Sequence, residues 1–248
     1  MRNLKLEIEY DGTHYCGWQI QGKLNGKKKS IQAVLEDALR KILNEKIQTI
    51  VSGRTDAGVH ALAQVANFKT KSKIPLSKLR FALNDRLPKD ISISSVKVVP
   101  GDFHSRFDAK SKIYRYTILN RKHPSALLNS RVYFCRYPLD LNLMRQEARV
   151  LKGRHNFKSF QARDYRERNP VKTIKGLKIR RNKDIIQIDI EADGFLYNMV
   201  RNIAGTLVAV GRGKFPKGSM KRILEGRDRK YAGQTISPAG LCLVKAKY

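Results

Sequence analysis

Apolar and polar positions alternate from the start of the chain. Leu4, Leu6, Ile8 and Tyr10 fall two apart, the period of a half-buried strand. Asp11-Gly12-Thr13 ends that strand, and a loop carrying Tyr15, Gly17, Trp18 and Gln19 runs into the basic stretch Lys27-Lys28-Lys29. Ser30 reads as a helix N-cap, because Ile31, Val34, Leu35, Ala38, Leu39, Ile42 and Leu43 then recur on one helical face. Val51 to Phe68 is predicted as a strand, an exposed acidic turn and a second strand. Pro75 and Ser77 introduce a helix with Leu79, Leu83 and Leu87 on one face, closed by Pro88, and Ile91 to Val99 is the next strand. The order strand, helix, strand, strand, helix, strand is that of a split β-α-β unit in an antiparallel-rich α+β domain. A boundary near Pro100-Gly101-Asp102 divides the chain into an N-terminal α+β domain, residues 1–105, and a C-terminal α+β domain, residues 106–248.

The second half continues the pattern. A strand carries Tyr114 and Tyr116 on one face, and an irregular stretch follows through His123-Pro124 and Tyr133 to Tyr137. A helix is predicted over Leu141 to Leu151, closed by Gly153. Thr173 to Arg180 and Ile185 to Glu191 form a hairpin turning at Asn182-Lys183-Asp184. Gly194 to Leu207 reads as an apolar helix interrupted by Arg201, and the close around Gly240 to Val244 as a final strand.

Charge changes the picture more than any other compositional property. With 51 Lys and Arg against 21 Asp and Glu, the chain carries a formal net charge of +30, spread along its length. Such a surface repels itself unless a polyanion is near, which points to nucleic acid. A membrane partner is not indicated, since the apolar run around Ile203 to Val210 is too short to span a bilayer. Cys16, Cys135 and Cys242 lie far apart with no C-x-x-C pair, which argues against a zinc site or a disulfide framework and for a reducing compartment. The alternating pattern begins too early for a signal peptide, so a cytoplasmic location is expected.

Candidate chemistry centres on Asp56. Gly53 and Gly58 flank it and open backbone conformations closed to other residues, so the turn presents an acid beside a base, Arg54. The same residues also make an ordinary turn. From Phe103 to Tyr116, basic groups interleave with Phe103, Phe107, Tyr114 and Tyr116, as where cations hold phosphates and rings stack on bases; a half-buried strand with core tyrosines fits equally. Trp18 is a core anchor or faces RNA. His155 is a hydrogen-bonding loop residue or a base, and Arg163 to Arg168 form a basic loop. Arg201, on so apolar a helix, is costly to bury unless it reaches a carboxylate or phosphate. No Walker lysine motif, Rossmann glycine pattern or H-E-x-x-H pair is present, so neither a cofactor nor a metal is expected.

G-R-T-D-A-G-V-H-A, continuing into Gln64-Val65-Ala66-Asn67-Phe68, closely resembles the signature of tRNA pseudouridine synthases of the TruA family. Y-x-G-W-Q at Tyr15 to Gln19, F-H-S-R-F-D-A-K-S-K-I-Y-R-Y from Phe103, the Gly153 to Phe160 segment, M-V-R-N at Met199 to Asn202 and the C-terminus resemble further family segments. The resemblance implies two related ferredoxin-like halves with mostly antiparallel sheets and a cleft between them. It implies Asp56 as the catalytic nucleophile, Arg201 as its partner and Tyr114 packing against the target uracil, with Arg54 and Arg201 favouring the ionised carboxylate against desolvation. Attack on ribose C1′, attack on base C6 and assisted glycal formation all stay open. The implied substrate is the 3′ side of the tRNA anticodon stem-loop, and the implied assembly a homodimer whose subunits both touch one tRNA. Charge alone would also suit a non-catalytic RNA-binding or RNA-folding protein. A nuclease using Asp56 with His60 or His104 would lack the carboxylate cluster that metal-dependent cleavage needs.

Overall fold

A computed structural model describes residues 1–20, 29–164 and 169–248. Lys27 and Lys28 of the basic stretch, and Arg166 and Arg168 of the basic loop, lie outside the described residues. In chain order the elements are β1 (Arg2–Tyr10), α1 (Ile31–Leu43), β2 (Ile50–Val51), β3 (His60–Thr70), α2 (Leu76–Arg86), β4 (Ile91–Val99), β5 (Ser111–Asn120) and β6 (Tyr133–Cys135). Then come α3 (Leu141–Ala148), β7 (Gly153–Asn156), β8 (Val171–Asn182), β9 (Ile185–Ala192), α4 (Met199–Gly211), α5 (Ser219–Gly226) and β10 (Leu241–Lys247). The class is α+β with mostly antiparallel pairing. Among the described residues no helix is long and apolar enough to cross a membrane.

Two compact units divide the chain: Met1–Lys110 with Cys242–Tyr248, and Ser111–Leu241. In the first, β1 lies between β3 and β4, antiparallel to both, while β2 pairs with β3 through Ile50↔Asn67 and Val51↔Ala66. The last strand, β10, returns to this unit and runs parallel to the start of β3, with Cys242 opposite His60. The expected alternation is present: Leu4, Leu6 and Ile8 are fully buried, with Ile31, Leu35 and Leu39 of α1 and Leu79 and Leu83 of α2. Burying each such side chain contributes about 1.5–3 kcal/mol. The Ser30 hydroxyl caps α1 by accepting from the Ala33 N–H, and Asn44 ends it in the left-handed region.

In the second unit β9 pairs antiparallel with β5 and β8, and β8 with β7. Lys183 takes φ 51 in the two-residue turn between β8 and β9. Along β9 the even positions Ile186, Ile188, Ile190 and Ala192 are buried, and the odd ones half-exposed. Three local expectations change. Tyr133–Cys135 is a short strand parallel to β5 rather than irregular chain. The helix expected over Leu141 to Leu151 is α-helical to Ala148 and tightens to a 3-10 turn over Arg149–Leu151. The apolar helix starts at Met199, not Gly194, because Asn198 stands in the left-handed region (φ 58) and breaks the run.

Candidate active site

Asp56 sits in the segment joining β2 to β3, half-buried, next to a buried Thr55 and two places from an exposed Arg54. The segment is held from behind. Gln64 of β3, fully buried, donates from Nε2 to the Gly53 carbonyl (2.9 Å) and accepts at Oε1 from the Ser52 hydroxyl (2.7 Å) and the Val65 N–H (3.1 Å). Its Nε2 also reaches the Tyr10 hydroxyl at 3.4 Å, and that hydroxyl lies 2.7 Å from Thr55 Oγ1. Burial pushes the Tyr10 phenol far above its ordinary range, which keeps its proton in place for this bond. Gln64 therefore serves Ser52 and Gly53 directly and Thr55 through Tyr10.

The first loop closes on the same backbone. Trp18 donates its N–H to the Thr55 carbonyl (3.0 Å), and Ile31 and Gln32, at the start of α1, donate to the Gly17 and Trp18 carbonyls. Glycine is required at the approach. Gly17 has φ +102, and a Cβ there would stand 2.6 Å from the Thr55 oxygen; a Cβ on Gly12 would stand 2.0 Å from the Val59 oxygen. The Trp18 ring is fully buried, 6.1 Å from the Tyr10 ring, so this residue is a core anchor and its backbone, not its indole, touches the Asp56 segment. Of the two glycines flanking Asp56, Gly58 uses positive φ (75) while Gly53 does not; what Gly53 supplies is its carbonyl to Gln64. The two remaining histidine candidates of this unit have backbone duties: His60 Nδ1 accepts from the Gly12 N–H, and His104 Nδ1 accepts from the Arg106 and Phe107 N–H groups.

The second unit holds Tyr114 and Arg201. Tyr114 on β5 is buried at 8% exposure, with its ring edge-on to Phe195 at 5.0 Å. Arg201 lies in the first turn of α4, half-exposed among buried neighbours, and donates from Nε to the Ile236 carbonyl (2.7 Å) and from Nη1 to Asn198 Oδ1 (2.9 Å). These bonds fix the plane of the guanidinium. The adjacent Ser237 carbonyl accepts from the Tyr116 hydroxyl at 2.6 Å. Burial raises the Tyr116 phenol well above its usual range, against the opposing pull of the Arg201 charge. The strand tyrosines thus divide the work: Tyr116 pins the segment that holds Arg201, and Tyr114 packs on Phe195.

That segment is clamped again from α4. Asn202, fully buried, donates to the Phe160 carbonyl (2.8 Å) and accepts at Oδ1 from Thr235 and Arg229. Thr206 Oγ1 accepts from the Gly233 N–H (2.9 Å), and a Cβ on Gly205 would stand 2.0 Å from the Gln234 oxygen. The roles of Gln64, Phe195, Asn202, Arg229 and Ile236 are not readable from spacing; Gln64, Phe195 and Asn202 stood inside segments already singled out, and Arg229 and Ile236 did not. His155 stands on the short strand β7 rather than in a loop, and its Nε2 donates to the Lys152 carbonyl at 2.9 Å.

A family model described as tRNA pseudouridine synthase matches residues 7–108 and 148–248. The chain is 46% identical over 248 residues to "tRNA pseudouridine synthase A 2" of Clostridium perfringens (strain 13 / Type A), covering 100% of both chains. It is 45% identical over 248 residues, again with 100% of both chains covered, to "tRNA pseudouridine synthase A" of Thermoanaerobacter sp. (strain X514) and to the protein of the same name from Acetivibrio thermocellus.

Proposed function

This chain belongs to the tRNA pseudouridine synthase family, and from that membership we propose that it isomerises uridine to pseudouridine in the anticodon stem-loop of tRNA with Asp56 as its nucleophile. The reaction class is an intramolecular transfer. The bond from uracil N1 to ribose C1′ breaks, the base turns, and C5 is joined to C1′; the hydrogen on C5 leaves to solvent and N1 ends protonated. A single carboxylate can drive this if it is ionised, oriented and shielded from water. The observation that carries the reading is the held segment leading into Asp56: Gln64 and Trp18 bond the Gly53 and Thr55 carbonyls and Tyr10 the Thr55 hydroxyl, just ahead of a half-buried carboxylate, so its orientation is set before substrate arrives.

The remaining roles follow the same reading. Arg54 and Arg201 favour the ionised carboxylate. Tyr114, supported by Phe195, packs against the target uracil once the nucleotide has left its stack, at a cost of a few kcal/mol that stacking and phosphate contacts offset. The partner is tRNA, bound by a homodimer in the cytoplasm, and the excess of 51 basic over 21 acidic residues suits a polyanionic substrate.

The test is Asp56→Asn, which keeps the shape of the side chain and removes its charge. With tRNA tritiated at uridine C5, the wild type is expected to release tritium and the variant to lose release by more than about 1,000-fold while still binding tRNA. Undiminished release by the variant would refute Asp56 as nucleophile. Binding without release by the wild type would make the chain a non-catalytic RNA-binding protein.

A further inference from the structure

The stretch from Phe103 to Tyr116 carries four aromatic residues among basic ones, and the structure separates their duties. Tyr114 and Tyr116 are buried in the second unit. Phe103 packs on Tyr248 with ring centroids 5.1 Å apart, and the Lys5 ammonium lies over both rings at 5.6 and 5.4 Å. Phe107 alone of the four stands out in solvent, 73% exposed.

Its turn is built rather than loose. Two buried asparagines on neighbouring strands, Asn3 of β1 and Asn67 of β3, spend their side chains on it. Asn3 donates to the Pro100 and Phe103 carbonyls, both at 2.9 Å. Asn67 donates to the Phe103 carbonyl (3.2 Å) and to Asn3 Oδ1 (3.0 Å), and its Oδ1 accepts from the buried Ser105 N–H (2.9 Å). The Tyr248 hydroxyl donates to the Ser105 carbonyl at 2.8 Å. Beyond that anchor the chain turns tightly. The Phe107 and Asp108 N–H groups bond back to the His104 carbonyl, the Asp108 carboxylate accepts from the His104 N–H, and His104 Nδ1 accepts from the Arg106 and Phe107 N–H groups. The imidazole then lies against the Phe107 ring, 4.2 Å between centroids and 26° from parallel, with the Arg106 guanidinium 5.5 Å from the same ring.

A single exposed phenylalanine is common and by itself says nothing. Here an apolar ring is held outward on a turn pinned by buried polar side chains, with a histidine fixing its orientation and a cation alongside. That is the arrangement of a stacking platform for single-stranded nucleic acid: a pre-ordered ring loses little entropy on binding, and the adjacent cation meets the phosphate.

We propose that the Phe107 turn is a second RNA-contact site, where the ring stacks on an unpaired base of the substrate and Arg106 meets a neighbouring phosphate. The proposal rests on the substrate being RNA, as read above, and concerns binding rather than the chemical step.

Phe107→Ala, Phe107→Trp and Arg106→Ala, each in the full chain, test it by equilibrium binding to unmodified tRNA transcript across a salt series. Losing one stacked base is expected to weaken binding by about 5- to 100-fold in Phe107→Ala, with an unchanged slope of log affinity against log salt, since stacking releases no counterions. Phe107→Trp is expected to bind within a few-fold of wild type. Arg106→Ala is expected to flatten the salt slope by about one unit. Wild-type affinity in Phe107→Ala, or a Phe107→Trp variant as weak as the alanine, would overturn the proposal. So would a loss that accompanies a changed sedimentation coefficient of the free protein, which would assign the ring to a subunit contact. Because affinity is read without turnover, failure here is separable from failure of the Asp56 assignment, which shows in tritium release alone.

Discussion

At the scale of residues, orientation of the Asp56 segment depends on buried side chains behind it. Gln64 is the clearest case, because its buried amide serves the Ser52 hydroxyl, the Val65 N–H and the Gly53 carbonyl at once. Replacing it leaves buried polar groups without partners, at about 1–3 kcal/mol each. Gln64→Leu is therefore expected to lower the stability of the protein by roughly 2–4 kcal/mol in urea unfolding. It is also expected to reduce the rate of tritium release at saturating tRNA by more than tenfold, with tRNA affinity nearly unchanged. A variant that loses affinity and rate in equal measure would show that Gln64 acts on something other than the orientation of Asp56. Little of this support is legible in a sequence: glutamine in a strand reads as a polar position on the solvent side, and only the structure shows the residue fully buried.

At the scale of elements, the loop after β1 and the segment before β3 form one piece. Their contact is backbone to backbone, through the Trp18 N–H and the Thr55 carbonyl, and it is possible only because Gly17 has no side chain. Gly17→Ala would bring a Cβ to 2.6 Å from the Thr55 oxygen and hold alanine at φ +102. The expected result is loss of activity with the protein still folded, measured as absent tritium release beside a far-ultraviolet circular dichroism spectrum like that of the wild type. Retained activity would mean that the loop does not set the Asp56 backbone.

Periodicity was a good guide to elements that bury one face. The alternation in β1, the one-faced apolar spacing in α1 and the β8–β9 hairpin all stand where the pattern places them, though Asn182, expected in the turn, ends β8 and pairs with Ile185. It failed where the backbone departs from one regular form without a change of composition. Phe195, Leu196 and Tyr197 are as apolar as α4 itself, so the apolar run does not show that the helix begins only after the left-handed Asn198. The return of β10 to pair with β3 is equally silent, because a strand's own residues state which face is buried and not which neighbour it takes. Motif resemblance named Asp56, Arg201 and Tyr114. It could not name the carbonyl of Ile236, since any residue supplies one.

At the scale of the whole molecule, the excess of positive charge, the exposed Phe107 ring and the held Asp56 segment fit the protein proposed above, one that grips tRNA by its phosphates and acts on one base. On the proposed reading charge brings tRNA in, stacking holds an unpaired nucleotide, and chemistry falls to Asp56. The account stands or falls on whether that one carboxylate makes pseudouridine in tRNA. The most direct measurement is a map of pseudouridine in tRNA from cells that contain the wild-type chain, lack it, or carry Asp56→Asn in its place. Pseudouridines on the 3′ side of the anticodon stem-loop are expected in the first cells and absent from the other two. Their presence in cells that carry Asp56→Asn, at the level of the wild type, would contradict it.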